Sequence, residues 1–204
     1  MLLNIKLLAF LILLSPSILN AQPPEKSKIY LSVSLGPSIA SIKGDFGFYT
    51  FKASGPSLQM DLKAGFGLSD NLFLNVTYNV NKLSNPTIKV PNAYSPRPSD
   101  EVAISDRMFG GGFTWYPIPQ LYLSVSAGPG TSEMIDRVNY KDSEHSDRGL
   151  AMQFLVGREW QISQKFGMGV CFTYGFTKTT NLTDRGNEEL SGTRFGLLYS
   201  VSMH

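Results

Sequence analysis

Eight stretches of this chain alternate with a period of two, and in each the side that is not apolar is mostly small and uncharged. In the clearest of them, Phe166, Met168, Val170, Phe172, Tyr174 and Phe176 interleave with Gly167, Gly169, Cys171, Thr173 and Gly175. A period of two is the mark of a β-strand whose two faces meet different surroundings. A sheet with one face in water carries charge on that face. Here Gly, Ser, Thr and Asn stand where Lys and Glu would be needed. Turning the apolar face inward, as in a soluble ligand-binding barrel, would leave Gly110, Gly112, Ser124, Ser126, Gly167 and Gly169 as the wetted surface. Turning it outward into hydrocarbon leaves the same small residues to fill a narrow interior, and eight strands enclose just such an interior. The pattern therefore predicts an all-β chain folded as an eight-stranded antiparallel up-and-down transmembrane β-barrel.

The expected strands cover 29–40, 56–68, 72–80, 103–116, 120–129, 149–160, 166–176 and 192–203. Most are 9–12 residues long, and none exceeds 14, lengths that suit tilted strands crossing a bilayer. Ser69-Asp70-Asn71, Pro117-Ile118-Pro119 and Ile162 to Lys165 read as tight turns, while 43–54, 82–102, 131–148 and 177–191 read as long loops. Long and short connections alternate, which puts the long loops on one side of the membrane and both chain ends on the other. Trp115 and Trp160 fall near the short-turn end, and Phe109, Tyr78 and Tyr174 near the other, as interfacial aromatics do. Tyr30 to Pro37 is nearly repeated at Tyr122 to Pro129, by duplication of a four-strand unit or by two strands converging in one environment.

Ahead of the first strand, Lys6, the apolar run Leu7 to Leu14 and the small residue Ala21 have the form of a secretory signal. The expected organisation is a cleaved signal peptide over 1–21 and a barrel domain over 22–204. The net charge of +2 gives no reason to expect nucleic acid, and the single cysteine, Cys171, allows no internal disulfide and suggests no metal site. No cofactor is expected.

Four charged residues fall on the inward face: Asp61, Lys63, Glu159 and Arg194. Charges in a thin lumen need partners. Asp61 and Lys63, two apart on one strand, are expected to join a cross-barrel network, with Glu159 and Arg194 bonded to it or to water, as a polar plug or as a titratable ion path. On the long-loop side, Phe46, Phe48, Tyr49 and Phe51 form a candidate contact patch, or equally a cluster that packs against its own neighbours or sits at the lipid headgroups. Glu144-His145-Ser146 has the residue types of a hydrolase site, but adjacent residues on one chain rarely converge as nucleophile and base. Asp136, Asp142, Glu144, His145 and Asp147 lack the spacing of a calcium loop. His204, at the terminus, suggests no role.

The final strand carries a further signal. Arg194-Phe195-Gly196-Leu197-Leu198-Tyr199-Ser200-Val201 resembles the closing-strand signal of small outer-membrane barrels, with Arg194, Gly196, Tyr199 and Val201 at its specified positions. Through it the chain resembles the OmpA transmembrane domain and its OmpX- and Ail-like relatives, although it runs on through Met203 and His204 where that family ends on Phe. The resemblance implies a location in the bacterial outer membrane with both termini in the periplasm, insertion by the barrel-assembly machinery, and contact with outer-membrane lipid and lipopolysaccharide. It also implies a monomeric, porin-like barrel with a structural or adhesin-like surface-binding role, through loops that meet a host or envelope ligand. A lipid A-modifying enzyme and a small-solute channel are the alternatives.

Overall fold

A computed structural model describes residues 29–45, 50–91, 97–98, 102–136, 143–146, 148–183 and 186–204. The expected leader, 1–21, lies outside them. The strands are β1 (Ile29–Asp45), β2 (Thr50–Ser69), β3 (Leu72–Ser84), β4 (Thr87–Lys89), β5 (Arg97–Pro98), β6 (Val102–Ile118), β7 (Leu121–Asp136), β8 (Ser143–His145), β9 (Gly149–Gln161), β10 (Phe166–Thr183) and β11 (Gly186–Met203). Eight long strands pair antiparallel with their neighbours in chain order, and β1 pairs with both β2 and β11, so the sheet closes on itself. The short β4, β5 and β8 attach to the ends of β2, β4 and β7 respectively. The fold is an all-β, eight-stranded, up-and-down transmembrane barrel.

Side-chain alternation sets its wall. Along β1, Ile29, Leu31, Val33, Leu35 and Ile39 are exposed while Tyr30, Ser32, Ser34, Ser38 and Ala40 are buried. The exposed apolar row from Ile29 to Ile39 is about 33 Å along the strand, or about 25 Å once tilted, which is the height of a barrel's hydrocarbon band. Phe109, Phe113, Val125, Phe154, Phe172, Phe195 and Tyr199 continue the band around the wall. At the β6–β7 seam the strands come so close that a Cβ on Gly110 would lie 2.1 Å from the Ala127 carbonyl oxygen. Larger residues there would force the wall apart.

Three connections are the tight turns expected: 70–71, 119–120, with Gln120 at φ 74°, and 162–165. The opposite end differs from the sequence expectation. The long strands run 13–20 residues rather than 9–14, and much of what reads as loop is paired. Thr177–Thr183 and Gly186–Ser191 continue the β10–β11 ladder, Lys43–Asp45 pair with Thr50–Lys52, and β7 extends to Asp136. The physical reason lies in a reversal of polarity along each strand. Beyond the hydrocarbon band, Lys43, Lys52, Lys82 and Arg107 face outward, and Ile42, Phe51, Ala53, Leu83 and Ile104 face inward. Once the wall leaves lipid it meets water, and the apolar side belongs inside. The reversal breaks the alternation of the membrane segment and so looks like the end of a strand.

Candidate functional site

The lumen is filled in three layers. At the turn end, Tyr30, Phe73, Tyr116, Tyr122, Leu155, Cys171 and Leu198 form a buried cluster. Tyr30 and Phe73 have ring centroids 5.0 Å apart, and Tyr116 meets Phe73 edge-on at 5.9 Å. His204 inserts among them, 5.4 Å from the Tyr116 ring and 5.9 Å from Phe73. Its Nε2 lies 3.1 Å from Glu159 Oε1. The other oxygen, Glu159 Oε2, accepts hydrogen bonds from Tyr116 OH (3.0 Å) and Ser202 Oγ (2.6 Å). A terminal residue expected to have no role is thus buried as the floor of the barrel. β11 ends at Met203, and the backbone N–H of His204 is tied to the Lys165 carbonyl at 3.2 Å.

The middle layer is polar and crosses the lumen. Lys63 Nζ is paired directly with Asp61 Oδ1. Asp61 Oδ2 accepts from Asn79 Nδ2 at 3.4 Å, and Asn79 Oδ1 accepts from Arg194 Nη2 at 3.0 Å. Arg194 Nη1 donates to Thr177 Oγ1 at 3.0 Å. The chain Lys63–Asp61–Asn79–Arg194–Thr177 therefore links β2, β3, β11 and β10, and all of its members are buried. Gln59 and Gln153 both donate to Thr173 Oγ1, each at 3.3 Å, and Asn75, Thr77, Thr114 and Ser126 bond to one another below them. Charges this deep hold one another, because a carboxylate or guanidinium left alone there would carry a desolvation cost of several kcal/mol.

At the hairpin end, Asp106 Oδ1 accepts from Ser132 Oγ at 2.7 Å, and Ile42, Ala40, Phe51, Ala53, Leu83 and Ile104 form a small apolar core. Ile88, Val102, Met134 and Leu190 pack on that core from the sides.

Of the four inward charges picked out by sequence, Asp61, Lys63 and Arg194 are brought together through Asn79. Glu159 is not; it belongs to the floor with His204. Alternation put all four on the inner wall but carried no information on depth, and depth separates them. Asn79 lies on the same inward face, but alternation alone does not show that it bridges two charges. His204 had no signal, since it lies past the closing motif and no spacing ties it to Glu159.

Phe46, Phe48 and Tyr49 lie outside the described residues. Phe51 is buried in the outer apolar core. It is therefore not part of an exposed aromatic patch, because pairing extends beyond the band and turns this residue inward. On the closing strand, Arg194 faces in, Gly196 allows close packing against Thr173, Gln59 and Ser38, and Tyr199 and Val201 face lipid. Cys171 is buried in the aromatic floor. The side chains of Glu144 and His145, and Asp142 and Asp147, fall outside the description. Ser146 is buried, and its Oγ accepts the Ser132 N–H at 2.7 Å, so that hydroxyl oxygen serves to fasten the β7–β8 hairpin. Among the described residues no group of three or more His, Cys, Asp or Glu side chains could hold a metal ion. On the outer wall at the turn end, Arg158 stacks over Trp160 at 5.5 Å and donates to Gln120 Oε1 at 3.3 Å.

No family model matches the sequence, and no curated protein matches it. Solved structures do match in fold. Neisserial surface protein A is 13% identical with a TM-score of 0.52, covering 87% of this chain and 97% of its own. OprG, an outer membrane protein from Pseudomonas aeruginosa, is 11% identical with a TM-score of 0.51, covering 90% and 100%. The fold is that of the small outer-membrane β-barrels. At these identities the likeness extends to architecture alone.

Proposed function

We propose that this chain is an outer-membrane barrel closed to solutes, with a structural or adhesin-like role carried by the rim of hairpin ends that projects from the cell. The observation that carries this reading is the filled lumen: an aromatic floor, a charged cross-brace and an apolar cap leave the protein's exposed ends and wall as the surfaces able to meet another molecule. In this reading residues 1–21 are removed on export, both ends of the mature chain lie in the periplasm, and Arg194, Gly196, Tyr199 and Val201 are read by the assembly machinery. Asp61, Lys63 and Arg194 act as a plug rather than as an ion path, because each is engaged by a neighbour. One of the barrels it resembles in fold is named as a surface protein, which is consistent with a role at the rim.

Orientation and role are tested together. Trypsin added to intact cells is expected to cut after Arg148, which is exposed at the hairpin end, and to leave a protected fragment containing β9 to β11. Cells in which residues 90–98 and 137–148 are replaced by short Gly-Ser turns, leaving Lys89 in place, are expected to insert the barrel yet lose any binding of serum or envelope components that the intact protein shows. Steady single-channel current through the purified barrel in planar bilayers would overturn the closed-lumen reading. Cleavage only after the outer membrane is breached would overturn the orientation.

A further inference from the structure

On the outer wall just beyond the hydrocarbon band, three lysines occupy one lateral row. Lys43 of β1 is the direct Cα partner of Lys52 of β2, and Lys52 is the direct partner of Lys89 of β4. All three are exposed. Partnered residues on one face of an antiparallel sheet have Cβ atoms about 5 Å apart, and like charges set directly opposite destabilise the pair. Here the arrangement occurs twice in succession. On its other side Lys43 is opposite Ser191, and Ser191 is opposite Lys178.

The row contrasts with the basic residues around it. Lys178 has Glu189 at 2.9 Å, and Arg107 has Glu133 at 2.6 Å. Among the described residues, no acidic side chain lies within ion-pair distance of Lys43, Lys52 or Lys89. The nearest acid on the same face of β1 is Asp45, one step further out and opposite Thr50 and Glu189. Three cations are thus held side by side across about 10 Å of wall without a compensating anion from the described protein.

The location says what supplies that anion. Immediately inward on the same face lie Ser41, Ser54 and Thr87, mutually paired, and below them exposed Ile39 (68%) and Leu58 (55%), which touch hydrocarbon. The row is therefore at headgroup height, and long lysine stems can reach down to it. We infer that Lys43, Lys52 and Lys89 form a binding site for the phosphates of an anionic lipid headgroup, whose acyl chains lie along Ile39 and Leu58. The three cations, adjacent and without an acidic partner among the described residues, match a headgroup with more than one phosphate better than a lone anion. This site is on the wall rather than the rim, and it is independent of what the rim binds.

The test uses the full mature chain in phosphatidylcholine nanodiscs, with bisphosphorylated lipid A, the same lipid after dephosphorylation, and inorganic phosphate as probes. Native mass spectrometry is expected to show retention of the bisphosphorylated lipid. Each Lys→Gln change should weaken it about fivefold, the value of one basic residue at an anionic surface. Dephosphorylated lipid and inorganic phosphate should give no comparable retention. A second readout keeps folding separate from binding. In phosphatidylcholine alone, Lys52→Gln should leave thermal stability unchanged or raise it, because two repulsive neighbours are relieved. With the phosphorylated lipid present, the same variant should lose most of the stabilisation that the lipid gives the parent protein. Equal retention by the Lys43→Gln, Lys52→Gln, Lys89→Gln triple variant, retention that ignores the phosphates, or a Lys52→Gln variant that is destabilised equally with and without the lipid would each overturn the site.

Discussion

The barrel wall inside the hydrocarbon band and the same wall a few residues further out are built from opposite instructions. In β1, Ile39 faces lipid and is 68% exposed, whereas Ile42, three residues on, faces the interior and is 1% exposed. In β2, Leu58 is outward while Phe51 and Ala53 are inward; in β6, Phe109 is outward and Ile104 inward. The strand does not change, and its pairing continues unbroken through β1 and β2. What changes is the solvent. Hydrocarbon gives apolar side chains no reason to hide and requires the polar ones to find partners inside. Water beyond the headgroups restores the ordinary arrangement. The lesson is that the boundary of the membrane is written in the wall as a switch in which face is greasy, and that the outer ends of the strands form a small conventional β core set on top of a membrane barrel.

That comparison is open to direct attack. The largest effect is expected from Phe51→Ala, which empties the outer core. Truncation of a buried Phe costs about 3–5 kcal/mol. The loss should appear as faster amide exchange at the outer ends of β1 and β2, with the membrane-spanning part still protected. Wild-type exchange rates there would mean that Phe51 is not packed inside.

A lysine on the lipid face should then report depth. Val33→Lys, within the band, is expected to cost about 2–4 kcal/mol in urea unfolding from lipid vesicles. Ser41→Lys, on the same face beside Lys43, should cost at most about 1 kcal/mol. Equal costs would place the polarity switch elsewhere. The smallest effect belongs to Arg107→Gln. The Arg107–Glu133 pair is on the water-facing wall with the arginine side chain 44% exposed. Its loss is expected to change stability by less than about 1 kcal/mol, and a larger change would mean that this part of the wall is less hydrated than its neighbours.

Period-two alternation was sufficient to find all eight long strands, the three tight turns and the inward side of Asp61, Lys63, Glu159 and Arg194. It worked because a membrane barrel imposes one environment on each face over a full crossing. It failed where the environment changed along the strand. Thr177–Thr183 and Gly186–Ser191 are polar apart from Leu182 and Leu190 and so read as loop, yet the two segments pair in register through backbone hydrogen bonds, which no side-chain pattern reports. Phe51 was legible as an aromatic residue near a tip, but whether it faced out or in depended on how far pairing continued.

Sequence alone determined the fold class, the order of the strands and the face each one turns to lipid, because those follow from local periodicity and from the small size of the inward residues. Only the closed barrel decided depth and partnership. It joined Asp61 to Arg194 through Asn79, moved Glu159 to the floor beside His204, and set Lys43, Lys52 and Lys89 in one row. The lysines meet through the local β1–β2 and β2–β4 registers, but Asn79 and Arg194 lie 115 residues apart on different strands. Their meeting depends on the register and tilt with which the sheet closes, a property of all eight long strands together that no single stretch encodes.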